Sequence, residues 1–524
     1  MRSVMSHTFS QVPTADIPRS SFNRSFGHKT TFDAGYLVPV YVDEALPGDT
    51  FNCKMTAFAR LATPVHPFMD NLFIDSFFFA VPIRLIWDNW EKFNGAQDNP
   101  GDSTDYLVPT MTSPASTGYS NGTLHDYFGI PTQVPDLEHS SLVHRAHNLI
   151  YNDWFRDENL QDSLVVDKDD GPDDPADYVL QRRGKRHDYF TSCLPWPQKG
   201  VEVDLPLGTT APVVSTGGTI QLANLNDTTV RTLNTGTAAA ASDRLLLGTN
   251  PTVQGAAFWG STGMEADLSS ATAATINQLR EAFQIQKLYE RDARGGTRYV
   301  EILKAHFGVT SPDFRLQRPE YLGGGSSPVY LKEVPQTSST DVTTPQANLS
   351  AYGVSVLNNH GFTKSFVEHC IIIGLVSMRA DLTYQQGLNR MFSRSTRWDF
   401  YWPALSHIGE QAVLNKEIYA IGSGGVTDDD VFGYQERYAE YRYKPSMITG
   451  KFRSNDAQSL DTWHLSQEFS ALPVLNDEFI VEDPPVDRVI AVPSEPHVLF
   501  DSFFDLKCAR PMPVYSVPGL IDHF

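Results

Sequence analysis

The first strongly patterned part of the chain predicts β-strands. Five apolar residues occupy alternate positions: Phe51, Cys53, Met55, Ala57 and Ala59. This alternation is typical of a strand with one buried face. Residues 72–81 are mostly apolar and are followed by Pro82, which predicts a strand covered on both faces. The chain therefore enters a β region soon after Tyr36.

Helical periodicity interrupts the β pattern. Apolar residues spaced three and four apart predict helices in four segments: 84–93, 141–156, 268–294 and 297–307. The third helix is expected to end before the glycine pair at 295 and 296, which is a helix stop signal. Residues 94–135 are rich in Pro, Gly, Ser and Thr and predict a long loop.

The last third of the chain returns to β patterns. Residues 366–378 form an apolar run with three consecutive isoleucines, and 447–453 and 497–508 alternate less regularly. Strands at both ends bracket helices and loops, without the βαβ rhythm of a doubly wound fold. We therefore predict a mainly β fold. It is a single antiparallel sandwich whose first and last strands meet, with long loop and helical insertions between strands.

Composition and charge restrict the function classes. The 524 residues are 41% hydrophobic and 20% charged, so the chain can bury a large core and is not disordered throughout. The net charge is −21. An acidic chain does not attract nucleic acid as a whole, so any such contact must be local or carried by a basic partner.

The N-terminal residues 1–31 have the opposite charge from the rest of the chain. Asp16 is their only carboxylate, and they carry four cations: Arg2, Arg19, Arg24 and Lys29. We interpret the segment as a basic extended arm whose cations are candidates for contact with DNA. A solvated tail is the alternative.

A shift in composition marks residues 205–264 as an insertion. Thr, Ser, Gly and Ala dominate, and only four residues are charged: Asp227, Arg231, Asp243 and Arg244. Short alternating pieces such as 219–222 predict hairpins. The predicted organisation has four parts: the arm at 1–31, a first part of the sandwich at 32–204, a surface insertion at 205–264 and the remainder of the sandwich at 265–524.

The cysteines and the hydropathy pattern indicate where the protein is made. The four cysteines lie far apart and form no Cys-x-x-Cys pair: Cys53, Cys193, Cys370 and Cys508. We therefore expect reduced thiols rather than a disulfide framework or a zinc site. The start of the sequence has no signal-peptide core, and no long apolar run predicts a membrane span. The pattern is typical of a soluble protein made in a reducing cytoplasm.

Enzyme signatures are missing from the sequence. There is no Walker loop or His-Glu-x-x-His motif, and neither a catalytic residue nor a cofactor is expected. Glu368, His369 and Cys370 are adjacent, but neighbours in a strand point to opposite faces, which favours a structural role.

An acidic run suggests a cation site. The carboxylates of Asp167, Asp169 and Asp170 are candidate calcium ligands, although the run does not match the EF-hand template. The alternative is a solvated acidic loop without an ion.

Two stretches interleave basic and aromatic residues, at 390–398 and at 434–453. This composition is typical of single-strand nucleic-acid binders and equally of Tyr-rich subunit interfaces. Arg437, Arg442 and Lys444 join the cations of the arm as DNA-facing candidates.

Several long motifs resemble one protein family. They lie in six segments: Phe77–Trp90, Asn148–Leu160, Gln284–Tyr299, His306–Asp313, Gln317–Gly324 and Cys508–Tyr515. Together they resemble the F-type (VP1) major capsid proteins of microviruses, in the gokushovirus branch. The resemblance runs from about residue 20 to the C-terminus and is weakest at 205–264.

The resemblance implies a jelly-roll sandwich that assembles into a small icosahedral T=1 shell around circular single-stranded DNA. The insertion at 205–264 would form a protrusion at the threefold axes and attach the virion to the host. The implied partners are further copies of the chain, the packaged DNA, a small basic packaging peptide, a minor pilot protein and a host surface receptor. Assembly would take place in the host bacterial cytoplasm.

A second class of function also suits a jelly-roll sandwich. A carbohydrate-binding protein or a glycosidase would share the fold, but it would need a cleft with paired carboxylates. Size in solution separates the two classes, because a coat protein forms shells or pentamers.

Overall fold

The computed structural model describes most of the chain. The described residues are 17–200, 276–296, 298–310, 317–422 and 427–515, with five short strands between 213 and 266. The predictions for Arg2 and for most of 205–264 lie outside them. The chain divides into two compact units, one formed by residues 198–292 and the other by the rest.

The described residues contain nineteen β-strands: β1 (Ser20–Asn23), β2 (Phe26–Phe32), β3 (Val38–Ala45), β4 (Thr50–Leu61), β5 (Leu72–Pro82), β6 (Thr110–Thr112), β7 (Glu138–Ser140), β8 (Val213–Ser215), β9 (Gln221–Asn224), β10 (Val230–Thr232), β11 (Ala257–Trp259), β12 (Met264–Ala266), β13 (Glu320–Pro328), β14 (Tyr330–Pro335), β15 (Leu349–Ser365), β16 (Cys370–Ala380), β17 (Glu410–Leu414), β18 (Val431–Glu436) and β19 (Val498–Arg510). The same residues contain seven α-helices: α1 (Trp90–Phe93), α2 (Leu124–Tyr127), α3 (Leu142–Trp154), α4 (Ile276–Gly295), α5 (Tyr299–Phe307), α6 (Asn415–Ile418) and α7 (Asp477–Ile480).

Two antiparallel sheets organise the larger unit. The first, which we call the large sheet, has the order β1-β19-β4-β15-β14, with β2 also paired to β19. The second has the order β13-β5-β16-β3. The last strand thus lies between early strands. This confirms the predicted mainly β, antiparallel architecture in which the first and last strands meet, and the strand order is compatible with a jelly roll.

The inner faces of the two sheets share one hydrophobic core. Strand β4 buries every second residue, as its alternation predicts. Phe78 of β5 contacts Phe362 of β15, with ring centroids 5.5 Å apart. Tyr41 of β3 contacts Phe504 of β19 at 5.3 Å. Since each pair joins one sheet to the other, the sheets pack face to face as a sandwich.

A second core covers the opposite face of β5 and β16. Ile371 and Ile373 of β16 and Phe79 of β5 pack there against Ala146 and Ile150 of helix α3. All residues of β16 are buried. The prediction that residues 72–81 are covered on both faces is therefore confirmed.

The side of β16 that faces the large sheet allows a conservative test of the sandwich core. Ile372 has no exposed surface, so replacing it by valine removes one buried methylene and leaves a small cavity. We expect Ile372→Val to lower the free energy of unfolding by about 0.5–1.5 kcal/mol, measured by urea denaturation. The same substitution at the exposed Ile421 should change it by less than about 0.5 kcal/mol. Equal effects at both positions would contradict the assignment of Ile372 to the core.

Several local predictions were wrong. Residues 84–93 form a 3-10 turn at Ile83–Leu85 and the short helix α1, because burial of Ile86 and Trp87 in the second core overrides a continuous helix. The predicted strand at 447–453 is an exposed segment with a 3-10 turn at Gly450–Phe452. Gly450 has φ 68°, which is incompatible with a strand.

Other local predictions are confirmed. Helix α3 matches the predicted helix at 141–156, and α5 matches the one at 297–307. Strand β19 alternates buried and exposed residues more regularly than its sequence suggests. All four cysteines are free, as predicted, and all four are buried. None of the described helices combines the length and hydrophobicity that crossing a bilayer requires.

The smaller unit contains short antiparallel strands. Strand β9 pairs with β10 and β11, and β12 pairs with β8. The hairpin-like pieces predicted for the insertion therefore occur in its described parts, although β9 begins two residues later than the predicted piece at 219–222.

Candidate functional site

The two basic and aromatic stretches meet on one surface. We define the basic aromatic surface as residues 390–402 and 434–444. The hydroxyl of Tyr438 donates to the carbonyl oxygen of Trp398 at 3.1 Å, and the Arg437 guanidinium donates to the same oxygen at 3.3 Å. Tyr438 lies in the left-handed region, with φ 63°, at the turn after β18. This turn brings the second stretch back against the first.

A small apolar core supports the basic aromatic surface. Strands β17 and β18 pair as a hairpin. Val413 and Phe432 from the hairpin pack against Tyr189, Phe190 and other buried residues of the larger unit. The second stretch of the surface therefore continues directly from a strand that is anchored in this core.

Cations on this surface lie over exposed aromatic rings. The guanidinium of Arg397 lies 4.6 Å from the ring centroid of Trp402 and 5.2 Å from that of Trp398. Arg394 lies 4.3 Å from the ring of Tyr441. More than half of the Trp398 surface is exposed. Such pairs can stack on planar groups, either bases or the aromatic side chains of another protein copy.

Carboxylates neutralise part of the positive charge. Arg390 pairs with Glu417 at 2.7 Å, Arg394 with Glu440 at 3.2 Å, and Arg442 with Glu436. Burial raises the pKa of Glu417, although the positive charge of Arg390 acts to lower it. The surface is thus less positive than its sequence suggests, and its aromatic character dominates.

The predicted DNA-facing cations in the described part of the N-terminal segment lie in or directly beside strands of the large sheet. Residues 20–23 and 26–32 are strands β1 and β2, so the described part of the arm belongs to the sheet. Arg19 donates to the carbonyl oxygen of Gly48. Arg24 pairs with Asp43 at 2.6 Å, and Lys29 lies 3.5 Å from Asp501. The structure does not bring these residues together with the basic aromatic surface. There, Arg437 is half-buried, and Arg442 and Lys444 are exposed.

The acidic run is held by the chain's own donors. Trp87 Nε1 donates to Asp170 at 2.7 Å, and Arg145 lies 3.3 Å from Asp169. Hydrogen bonds from Asn89 and Trp87 lower the pKa of Asp170, whereas burial raises the pKa of Asp167. Across the described ranges, no group of three or more His, Cys, Asp or Glu residues is placed to hold a metal ion.

Sequence reasoning missed the residue that organises this run. Arg145 projects from the buried side of helix α3 and forms an ion pair with Asp173, and both side chains are fully buried. The sequence did contain a signal for this ion pair, because a single arginine lies on the apolar face of a predicted helix and an acidic run follows it. Such a cation needs a buried partner.

The cluster at 368–370 makes structural contacts. Glu368 pairs with Arg84 at 2.7 Å, and the His369 ring packs edge-on against Trp90 at 5.2 Å. Burial raises the pKa of the Cys370 thiol to about 12, so the thiolate needed for nucleophilic attack is scarce at neutral pH.

Comparison with known proteins identifies close relatives over the whole length. A family model described as "Capsid protein (F protein)" matches residues 10–520. "Capsid protein VP1" of Bdellovibrio phage phiMH2K is 52% identical, covering 99% of this chain and 98% of the relative. The corresponding proteins of Chlamydia phage 1 and Spiroplasma virus 4 are 46% and 39% identical, with at least 97% of each chain covered. All three relatives are capsid proteins.

Proposed function

The chain belongs to the phage capsid protein (F protein) family, and from this premise we propose that it forms an icosahedral T=1 shell around circular single-stranded DNA. It is a structural major capsid protein, and its location is the virion. The observation that carries the proposal is full-length similarity to three VP1 capsid proteins. No residue of the chain is catalytic in this proposal.

The net charge of the chain opposes packaging of DNA unless local cationic surfaces or a basic partner offset it. Each copy carries a net charge of −21, so a shell of such copies repels a polyanionic genome on average. Local cationic surfaces and a small basic packaging peptide would offset this repulsion. A minor pilot protein and a host surface receptor complete the proposed set of partners.

Shell assembly tests the proposal directly. The purified chain, expressed in bacteria, is expected to form closed particles of uniform diameter in negative-stain electron microscopy or to accumulate as pentamers. The proposal would be contradicted if the chain formed nothing larger than monomers or small, irregular oligomers over a range of salt concentrations.

The basic aromatic surface is proposed to lie at a subunit seam or on the inner wall of the shell. Tyr438 is already buried in the single chain, whereas Tyr441 and Tyr443 are 50% and 37% exposed. Covalent tyrosine labelling should therefore modify Tyr441 and Tyr443 in dissociated subunits and spare both in intact particles. Heavy labelling of both in intact particles would place the surface outside and refute the proposal.

The insertion at 205–264 is proposed to form a threefold protrusion that acts in host attachment. Its low charge and small residues give it little core of its own, and copies that meet around an axis can pack against one another. Replacing residues 215–258 by a short linker should leave shell assembly intact and reduce adsorption to the host. Normal adsorption of the deletion variant would exclude the attachment role.

A further inference from the structure

The outward face of the large sheet carries an unusual combination of side chains. Strands β4, β15 and β19 bury one set of alternate residues and expose the other. We call the exposed set, with the outward residues of β2 and β14, the outer sheet face. Its large apolar members are Phe58, Tyr330, Val334, Tyr352, Val356, Leu499 and Phe503.

Strand register places these side chains next to one another. Phe58 lies opposite Val356 on one side and Asp501 on the other. Phe503 lies one outward position further along β19 and is therefore diagonal to Phe58, about 7–8 Å away. Phe503 is 54% exposed and Phe58 38% exposed. The two rings form a platform on which two successive planar groups can stack.

The charge of the outer sheet face opposes the charge of the chain. Among the described strands, five outward positions hold cations: Lys29, Lys54, Arg60, Lys332 and Lys507. Two hold carboxylates, Asp501 and Asp505. The face is thus net positive on a chain with a net charge of −21, and it complements a polyanion.

A groove on this face adds a recess beside the Phe58 ring. It has a volume of about 590 Å³. Lys29, Phe58, Arg60 and Leu499 contribute to its walls, as do Tyr127 of α2 and the carboxylates of Asp126 and Asp501. The guanidinium of Arg60 lies 5.2 Å from the Phe58 ring centroid. Cationic and aromatic side chains therefore border one recess.

We propose that the outer sheet face binds single-stranded nucleic acid, stacking bases on Phe58 and Phe503 while the surrounding cations contact phosphates. Stacking on aromatic rings within a basic groove is the sequence-independent mode of single-strand binders. A contact with a second copy of the chain is less suitable, because lysine is depleted in protein interfaces and this face carries four lysines. The inference deepens the proposed packaging function and places part of the genome against the large sheet.

The test measures binding of the free, full-length chain to a labelled single-stranded oligonucleotide of roughly 12 nucleotides, by fluorescence anisotropy. Phe58→Leu and Phe503→Leu keep an apolar surface but remove the ring, and each should weaken binding roughly tenfold. Phe307→Leu, at a 72% exposed position on α5, is the matched control and should leave the affinity unchanged. An abasic oligonucleotide should bind wild type and the ring variants equally.

The charge component has its own readout. Lys54→Gln combined with Lys507→Gln should make the salt dependence of binding shallower by about 1.4 in the slope of log K against log salt. In particles, ultraviolet crosslinking should attach packaged DNA to the peptide that contains Phe503. Unchanged slope and absence of crosslinks would overturn the proposal.

Particle experiments separate this inference from shell formation. The ring variants should assemble normally and contain less DNA than wild type. Normal shells with unchanged DNA content and unchanged oligonucleotide affinity would overturn the inference and leave the shell proposal standing. Loss of shells with unchanged oligonucleotide affinity would show that the face is a contact between copies, and this also overturns it.

Discussion

Asp173→Asn is expected to destabilise the larger unit by about 3–5 kcal/mol, because it leaves the charge of Arg145 without its buried partner. The Arg145 Nε donates to Asp173 at 2.8 Å, and its Nη1 donates to the carbonyl oxygens of Ile86 and Asp169. The hydroxyl of Tyr178 also donates to Asp173, at 2.6 Å. Urea denaturation monitored by tryptophan fluorescence gives the change, since Trp87 lies beside this network.

An exposed ion pair in the same unit supplies the control. Arg182 pairs with Asp483 at 2.6 Å, but 65% of the Asp483 side chain is exposed. Asp483→Asn should therefore cost no more than about 1 kcal/mol. If Asp173→Asn cost as little as Asp483→Asn, water would have to reach Arg145, and the buried network would not exist as described.

The sandwich could be predicted because its strands carry their own patterns. The alternation from Phe51 to Ala59 and the continuous apolar run at 72–81 each identified a strand and its number of covered faces. Because the sequence has no βαβ rhythm, the last strand was predicted to meet early strands, and β19 does pair with them. These features depend on local periodicity, which a single sequence contains.

Long-range partners could not be predicted in the same way. The pairing of Arg145 with Asp173 depends on how an irregular loop folds back over helix α3, and no periodicity specifies that path. The outer sheet face was missed for a related reason. Phe58 and Phe503 are 445 positions apart in the sequence and become neighbours only through the register of β4 and β19. A single aromatic residue at an exposed strand position does not indicate a binding surface until its cross-strand neighbours are known.

A group of histidines packs between α2, β7 and α3. His125 Nδ1 and His144 Nε2 lie 2.9 Å apart, which is a hydrogen bond in which one ring donates and the other accepts. The ring of His125 stacks on Tyr119 at 3.9 Å, and Tyr119 contacts His139 at 2.9 Å. His147, one turn along α3 from His144, is also buried. If both hydrogen-bonded rings were protonated, both would be donors and their contact would be lost.

Burial opposes the charged form of these rings. It lowers the pKa of His125 and of His147 to about 4 and that of His144 well below its ordinary value. The charges of neighbouring histidines add to the effect on His125 and His144. Because the folded pKa values lie below the unfolded value of about 6.5, the unfolded chain binds more protons in acid. The stabilisation by neutral histidines is therefore complete above about pH 6.5 and is lost as the pH falls toward 4.

Lowering the pH from 7.5 to 5.0 is expected to reduce the free energy of unfolding by roughly 2 kcal/mol for each of His125 and His147. Each pH unit over which the ring is protonated only in the unfolded state contributes about 1.36 kcal/mol. The protection of peptides covering residues 119–151 against hydrogen–deuterium exchange, measured relative to the slower intrinsic exchange in acid, should fall accordingly. His147→Leu removes one titrating ring and should reduce the pH-dependent loss by roughly 2 kcal/mol, whatever its effect at pH 7.5.

The comparison between variants isolates the histidines from other titrating groups. Burial raises the pKa of Glu482, which opposes the histidine effect in wild type and variants alike. His407→Gln changes an exposed histidine and should leave the pH dependence of exchange unchanged. If His147→Leu and His407→Gln both retained the wild-type pH dependence, His147 would titrate alike in the folded and unfolded chain, and its burial would not make the fold sensitive to acid.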